Sequence, residues 1–194
     1  YGSMGYMDAE NFRAETLPNG SSIHKNLIGK FKNEVKRQGA LPFVRHHNIK
    51  YGGQFPIWVA VELFTFGMLG SLFDLMREND QRAVSREYNL SPESLSRLIA
   101  SAVDVRNICA HYNRLYNRVL DDQPLLPNRL RLYESDRLFP LLLAFAHILG
   151  RERVLNRLIT GLSLLEADFP EADLSLCGFP EDWHSILETE AAQS

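Results

Sequence analysis

Residues 91–120 read SPESLSRLIASAVDVRNICAHYNRLYNRVL, and this stretch decides the predicted fold. It opens with Ser91, Pro92 and Glu93, which combine a capping hydroxyl, a proline that a first turn tolerates and an early acid. No helix-breaking residues follow until the segment 121–124, which reads DDQP. The sequence therefore predicts one long helix from residue 92 to about residue 120.

The second half of this helix, residues 104–118, carries two faces of different chemistry. Residues three, four and seven apart share a face, because a helix advances by about 100° per residue. Arg106 lies roughly 140° from His111 by the same geometry, so a direct contact between the two within one helix is not assured. The polar face contains Asp104, Asn107, His111, Arg114 and Arg118. The apolar face, which we expect to pack on the core, contains Val105, Ile108, Cys109, Tyr112, Leu115 and Tyr116.

The rest of the chain predicts further helices, and no alternating apolar run is long enough for a strand. The fold class is therefore all-α, a helical bundle. Glu62 falls in a helix that is apolar on most sides, so we expect it to be at least half-buried and paired. The other predicted helices span residues 22–37, 43–51, 56–77, 79–88, 136–149 and 151–166, with a last short helix after a turn at residues 178–183.

We expect a single helical domain over residues 22–194, preceded by an irregular segment over residues 1–21. The segment 1–21 is polar and rich in glycine, and the triplet 18–20 is a turn signal. The first seven residues are unlike the start of a natural domain, which suggests a cloning remnant or the cut edge of a longer protein.

Composition excludes several classes of protein. The 194 residues are 45% hydrophobic, enough for a sizeable core, and the net charge of -3 gives no strong overall attraction for nucleic acid. The two cysteines form no disulfide framework, and without a secretory signal a reduced, cytoplasmic location is the default. The longest apolar run, residues 58–73, is shorter than the roughly 20 residues of a membrane span.

The sequence contains no metal-ligand spacing, no phosphate-binding glycine loop and no nucleophile elbow. The remaining candidate for a functional site is the polar face of residues 104–118. Arginine clamps phosphate, and histidine moves protons near neutral pH, which are the parts that a metal-independent ribonuclease needs. The alternative is structural: Asp104, Arg114 and Arg118 would form salt bridges on a helix surface, and His111 would be a polar core residue. The spacing Arg-x4-His alone does not decide between them.

Three blocks of sequence resemble the Abi-like (abortive infection) bacteriophage-resistance family, and they occur in the family's order. The first is RNICAH at residues 106–111, followed by Arg-Leu at 114–115 and Asn-Arg at 117–118. The second is PIWVAVEL at residues 56–63 with Phe-Gly at 66–67, and the third is GFPEDW at residues 178–183. The family is placed in the HEPN superfamily, whose members are helical bundles, commonly dimeric, and often metal-independent RNases.

This resemblance implies a role for each residue of the motif. His111 would perform general acid/base work, Arg106 would stabilise phosphate and transition-state charge, and Asn107 would orient the histidine or the phosphate. Arg114 and Arg118 would bind the RNA backbone, with Asp104 and Glu62 supporting the site. Because HEPN proteins often pool these residues from two protomers, Arg106 and His111 need not meet within one chain.

Two departures from the family's pattern bear on these expectations. Family members usually carry more sequence before the position of residue 10, which suggests a fragment or a gap near the start of the chain. Related toxins read Arg-x4-His-x-Tyr with a modifiable tyrosine, whereas Tyr112 directly follows His111 here and Asn113 takes the tyrosine's place. Regulation by tyrosine modification is therefore not expected.

We therefore expect an RNA-cleaving protein of the phage-defence or toxin type that acts as a homodimer without metal or cofactor. RNA and a second copy of the chain are the expected partners, an antitoxin or RNA regulator is a further candidate, and no membrane is involved. One alternative is a non-catalytic HEPN module that binds RNA, a nucleotide or a partner protein. Another is a purely structural helical domain.

Overall fold

The structure, a computed structural model, describes residues 1–149 and 152–193, and this part of the chain is built from helices without any β-strand. The all-α prediction is confirmed. Short 3-10 turns connect the helices, and the pairing of extended backbone is limited to two isolated bridges in the described residues. The α-helices are α1 (Ile23–Arg37), α2 (Pro42–Lys50), α3 (Ile57–Ala60), α4 (Phe66–Leu75), α5 (Glu78–Arg86), α6 (Pro92–Ala110), α7 (Phe139–Leu149), α8 (Glu152–Asp168) and α9 (Trp183–Gln193).

The chain divides into two compact units, Tyr1–Val84 and Ser85–Ser194. The single domain expected over residues 22–194 stays a prediction. Arg151, the predicted start of the helix at residues 151–166, and Ser194, the predicted end of the domain, lie outside the described residues. None of the described helices is both long enough and apolar enough to cross a membrane.

The first unit is centred on the packing of α1 against α4. The N-terminal segment joins this core, because Tyr6 is buried and its hydroxyl donates a hydrogen bond to the carbonyl of Phe55 at 2.8 Å. Earlier in the segment, the Ser3 carbonyl accepts a hydrogen bond from the amide of Ile57 at 2.8 Å. Apart from two 3-10 turns, residues 1–21 contain no helix, and the segment is joined to the core through the contacts of Ser3 and Tyr6. The buried side chains of this core include Leu27, Phe31, Val44, Phe55, Leu63 and Met68.

The predicted continuous helix over residues 56–77 is wrong. The chain forms α3, then a 3-10 turn at Val61–Leu63, and then leaves helical geometry at Phe64, whose backbone is extended with ψ 132°. Thr65 starts α4 by accepting a hydrogen bond from the amide of Met68 at 3.3 Å, as an N-cap does. The break lets Phe64 turn into an aromatic cluster with Phe31. Glu62, expected to be buried and paired, is instead exposed on the 3-10 turn, where its charge stays hydrated.

The second unit is centred on α7, which packs against α6, α8 and α9. Helix α7 has this central place because its sequence, FPLLLAFAHIL, is apolar on nearly every side. The buried side chains of this unit's core include Leu98, Ala102, Phe139, Leu143, Trp183 and Leu187.

A charged cluster ties three elements of this unit together. Glu190 on α9 is only 2% exposed, and both of its carboxylate oxygens accept hydrogen bonds from Arg129, which lies on the 3-10 turn Asn128–Tyr133. Arg129 also donates to Nδ1 of His147 on α7 at 3.3 Å, and this nitrogen lies 3.7 Å from Glu190. The ionised carboxylate is thus buried with its charge compensated.

Stability should fall in mild acid because of His147. Burial, followed by the positive charge of Arg129, lowers the pKa of His147 below its ordinary value of 6.5. The unfolded chain therefore takes up this proton at a higher pH than the folded chain, so this contribution to stability is complete above pH 6.5 and is lost as the pH falls below it. Urea unfolding at about pH 7.5 and about pH 5.5 should show the decrease. The decrease should shrink in His147→Gln and persist in His46→Gln, and an undiminished decrease in His147→Gln would contradict the assignment.

Candidate functional site

Helix α6 ends ten residues earlier than the predicted residue 120. It begins as expected, with the Ser91 side chain accepting from the amide of Ser94 at 3.0 Å, but its last helical residue is Ala110. His111 is the C-cap, and Tyr112 takes a left-handed conformation with φ 54°.

Two backbone hydrogen bonds close this helix end. The amide of Tyr112 donates to the carbonyl of Cys109 at 3.2 Å, and the amide of Asn113 donates to the carbonyl of Ile108 at 3.0 Å. This is the Schellman arrangement, in which glycine usually occupies the left-handed position. A tyrosine there bears a steric cost of about 1 kcal/mol.

The early end divides the predicted polar face. Asp104 and Asn107 lie on α6 and His111 caps it, whereas Arg114 and Arg118 follow in irregular chain and share no helical face with them. Arg106, Asn107, His111, Arg114 and Arg118 are all exposed, and Asp104 is half-buried. The predicted apolar face is also only partly realised: Ile108 is buried and Val105 packs on the core, but Cys109 is exposed and Tyr112 is 98% exposed.

The contacts of the motif are few. Arg106 donates from Nη1 to Oδ1 of the neighbouring Asn107 at 3.0 Å, and its guanidinium makes no hydrogen bond to His111. Within the described residues, no ion pair involves Asp104, Arg106, Arg114 or Arg118, so the salt bridges of the structural alternative are not formed. The site therefore offers unpaired guanidiniums and an imidazole at a solvent-facing helix end.

The arginines offset the polarity of this helix end. The C-terminus of a helix carries partial negative charge from its last carbonyl groups, which disfavours a phosphate. Guanidinium groups bind phosphate through paired charge-assisted hydrogen bonds, and three of them lie on the helix end and the chain after it. No group of three potential metal ligands occurs in the described part of the chain.

The chain after the motif is held by the loop that precedes α9. The Tyr116 hydroxyl accepts from the amide of Asp173 at 3.0 Å and lies 3.2 Å from the carbonyl of the same residue. The Asn117 amide donates to Sγ of Cys177 at 3.4 Å, and the Asn117 side chain accepts from Arg137 at 2.9 Å. The structure thus joins residues 116–117, at the end of the motif region, to residues 173–177, which directly precede the GFPEDW block at residues 178–183. Sequence reasoning missed Arg137 and Asp173, because no local pattern marks these long-range partners.

A glycine is required at position 178, directly after this joined segment. Its φ is 85°, and a Cβ there would lie 2.8 Å from Cβ of Arg137 and 3.1 Å from Oγ of Ser135. Gly178→Ala should therefore lower the free energy of unfolding by about 2 kcal/mol through strain and overpacking. Gly161→Ala is the matched control, because no atom lies within 4 Å of its Cβ position and the helical site should gain about 0.5–1 kcal/mol. Urea unfolding measures both, and equal effects in the two variants would contradict the prediction.

The motif lies within a region that matches a known protein family. The model of the Abi-like protein family matches residues 2–117, which is more than half of the chain and includes the whole Arg106-to-His111 motif. The chain belongs to the Abi-like protein family. The resemblance seen in the sequence is thus confirmed, although the GFPEDW block of this Abi-like chain lies beyond the matched residues. No curated protein and no solved structure matches the chain. Family membership points to abortive infection, a form of phage defence.

Proposed function

We propose that this Abi-like protein is a metal-independent endoribonuclease of the HEPN type, with an active site shared between two copies of the chain. The observation that carries the proposal is the exposed, unpaired end of α6, where Arg106, Asn107 and His111 lie without ion pairs to described residues. These exposed groups are available to a ligand with several negative charges.

The reaction follows from the residue types. One copy of His111 takes the proton of a ribose 2′-hydroxyl, and the 2′-oxygen attacks the adjacent phosphorus. The bond from phosphorus to the 5′-oxygen breaks, and the His111 of the second copy gives a proton to that oxygen. Arg106 stabilises the negative charge of the crowded phosphorane, and Asn107, hydrogen-bonded to Arg106, holds the guanidinium in place. The products are a 2′,3′-cyclic phosphate and a 5′-hydroxyl.

A shared site meets two requirements of this chemistry. The reaction uses a base and an acid at the same time, yet each chain contributes only one histidine to this helix end. Arg106 and His111 also diverge on α6, so a cleft between two copies would bring complementary groups together without bending one chain. A two-fold axis near the end of α6 would place both copies of the motif in one cleft. Arg114 and Arg118, on the chain after the helix, would bind the RNA backbone on either side.

The test is incubation of the purified protein with RNA in EDTA, followed by analysis of the RNA ends. Cleavage that persists in EDTA and leaves 2′,3′-cyclic phosphate and 5′-hydroxyl ends is the expected result. Cleavage that appears only with an added divalent ion would overturn the proposal. RNA that is bound with a steep salt dependence but stays intact would favour the non-catalytic alternative, a module that binds RNA, a nucleotide or a partner protein.

A further inference from the structure

One small part of the first unit carries a strong net positive charge. The chain as a whole has 21 Lys and Arg against 24 Asp and Glu. Residues 22–55 contain seven Lys and Arg, five on α1 and two on α2, and a single acid, Glu34. The net charge of this segment is therefore +6 in a chain of net charge -3. Glu34 forms an ion pair with Arg37 within α1 and none with the basic residues of α2.

Helix α2 directs its charges outward. Val44 is fully buried, whereas Arg45, His46 and Lys50 are exposed on the other side of the helix. The helix contains no acidic residue, and neither Arg45 nor Lys50 forms an ion pair with any described residue. Charges left unpaired on a short helix are available to an external anion.

Exposed aromatic rings lie beside these charges. Trp58 is 65% exposed and Tyr51 is 47% exposed, and together with His46 they line a cleft of about 440 Å³. His46 also lines a neighbouring cleft with Arg45 and Lys50. The ammonium of Lys50 lies 5.6 Å from the centroid of the Tyr51 ring. Aromatic surface and positive charge therefore form one continuous surface, and this cleft is large enough for a base.

The cleft is built beside a tight, hydrogen-bonded turn. The tight turn after α2 uses Gly52 and Gly53, with φ 60° and 76°, and the Gly53 amide donates to the carbonyl of His47 at 3.1 Å. Nδ1 of His47 lies 2.9 Å from the carbonyl of Gln54, and its ring stacks on buried Phe55. The Tyr51 ring lies against the rings of His46 and His47, so this side of the cleft is packed before any ligand arrives, which reduces the entropy lost on binding.

We propose that α2 and the turn to Trp58 form a binding surface for single-stranded nucleic acid, separate from the motif at the end of α6. Arg45 and Lys50 would contact successive phosphates, and Tyr51 and Trp58 would stack on the bases. Proteins that bind single strands without sequence preference combine these two elements, a basic path for the backbone and aromatic rings for the bases. An anionic membrane fits the surface less well, because a walled cleft beside a ring accommodates a planar base better than an acyl chain.

The binding test uses the full chain and a fluorescent 2′-O-methyl oligouridine of about 12 nucleotides, a length that suits single-strand sites. The 2′-O-methyl group prevents cleavage through the 2′-oxygen, so binding is measured independently of the proposed RNase activity. Trp58→Ala should weaken binding about tenfold, the size expected for the loss of one stacked base. The double variant Arg45→Glu/Lys50→Glu should weaken it at least as much and reduce the slope of log K against log salt by about 1.4, or 0.7 per phosphate contact.

The matched control is Arg86→Glu/Arg157→Glu, which makes the same charge change at exposed arginines of the second unit. It should stay within about twofold of the unmodified chain. Tryptophan fluorescence gives a second measurement, because Trp183 is buried and Trp58 is exposed. Stacking should quench the emission on addition of the oligonucleotide, and the quench should vanish in Trp58→Phe.

The proposal is overturned if the α2 and Trp58 variants bind the oligonucleotide as the control does. It is also overturned if the chain binds vesicles of phosphatidylcholine and phosphatidylserine through Trp58 but not the oligonucleotide. Failure of the RNase proposal gives a different result: RNA would stay intact while the uncleavable strand still binds to α2.

Discussion

Replacement of His111 by alanine should reduce RNA cleavage at least a hundredfold, the lower end of what a positioned acid or base contributes. If both copies of His111 act in one cleft, the homodimeric variant loses the base and the acid together. The expected rate is then at the detection limit. The measurement is the initial rate of cleavage in EDTA, with the variant and the unmodified chain at equal concentration.

The position of His111 makes this variant informative. Its imidazole is exposed and makes no hydrogen bond to a described residue, and the helix end is closed by backbone groups alone. His111→Ala should therefore change the free energy of unfolding by less than about 0.5 kcal/mol, so a loss of cleavage reports on chemistry. Asn113→Ala is the matched control at a neighbouring exposed site and should retain cleavage. Robust cleavage by His111→Ala would remove this histidine from the mechanism.

Replacement of Arg129 by methionine should destabilise the second unit by about 2–3 kcal/mol, somewhat below the 3–5 kcal/mol of a fully buried broken pair. The carboxylate of Glu190 is 2% exposed and loses its bidentate partner, whereas the Arg129 side chain is 44% exposed, which weakens the pair. Urea unfolding followed by circular dichroism measures the loss.

Two further variants test the cause of this loss. Arg131→Met makes the same change on the same 3-10 turn, at an exposed residue that forms no ion pair with the described residues, and should cost less than about 0.5 kcal/mol. Glu190→Gln in the Arg129→Met background should recover part of the loss, because a neutral amide needs no cation. Equal destabilisation by Arg129→Met and Arg131→Met would contradict the role of the buried pair.

The sequence predicts the helices where local signals are strong. Ser91 caps α6 as its hydroxyl predicts, and the helix predicted over residues 22–37 is observed as α1. The two wrongly predicted helix ends have one physical cause. In each, a residue other than glycine or proline leaves helical geometry, so no local sequence signal marks the end of the helix. Tyr112 adopts a left-handed conformation that tyrosine rarely takes, and Phe64 extends to reach an aromatic cluster.

For the candidate site too, the sequence predicts what is local and misses what depends on the fold. The motif at residues 106–111 is local and is evident from the sequence, so its residues and the family follow from it. The prediction that Arg114 and Arg118 share a helical face with His111 was wrong, because it required α6 to continue to residue 120. The cluster of Arg129, His147 and Glu190 joins residues up to 61 positions apart, and no periodicity marks such a set. The basic residues of α2 are visible in the sequence, but their position beside exposed Trp58 emerges only from the folded unit.

Cleavage by mixed dimers tests the shared active site most directly. Unmodified and His111→Ala chains are produced together in equal amounts, and the cleavage rate in EDTA is compared with that of the same total amount of unmodified protein. If each cleft needs the His111 of both copies, only the dimers of two unmodified chains are active, and random pairing leaves about a quarter of the rate. A rate of about one half would mean that one His111 is sufficient for cleavage, and would contradict a cleft that needs the His111 of both copies.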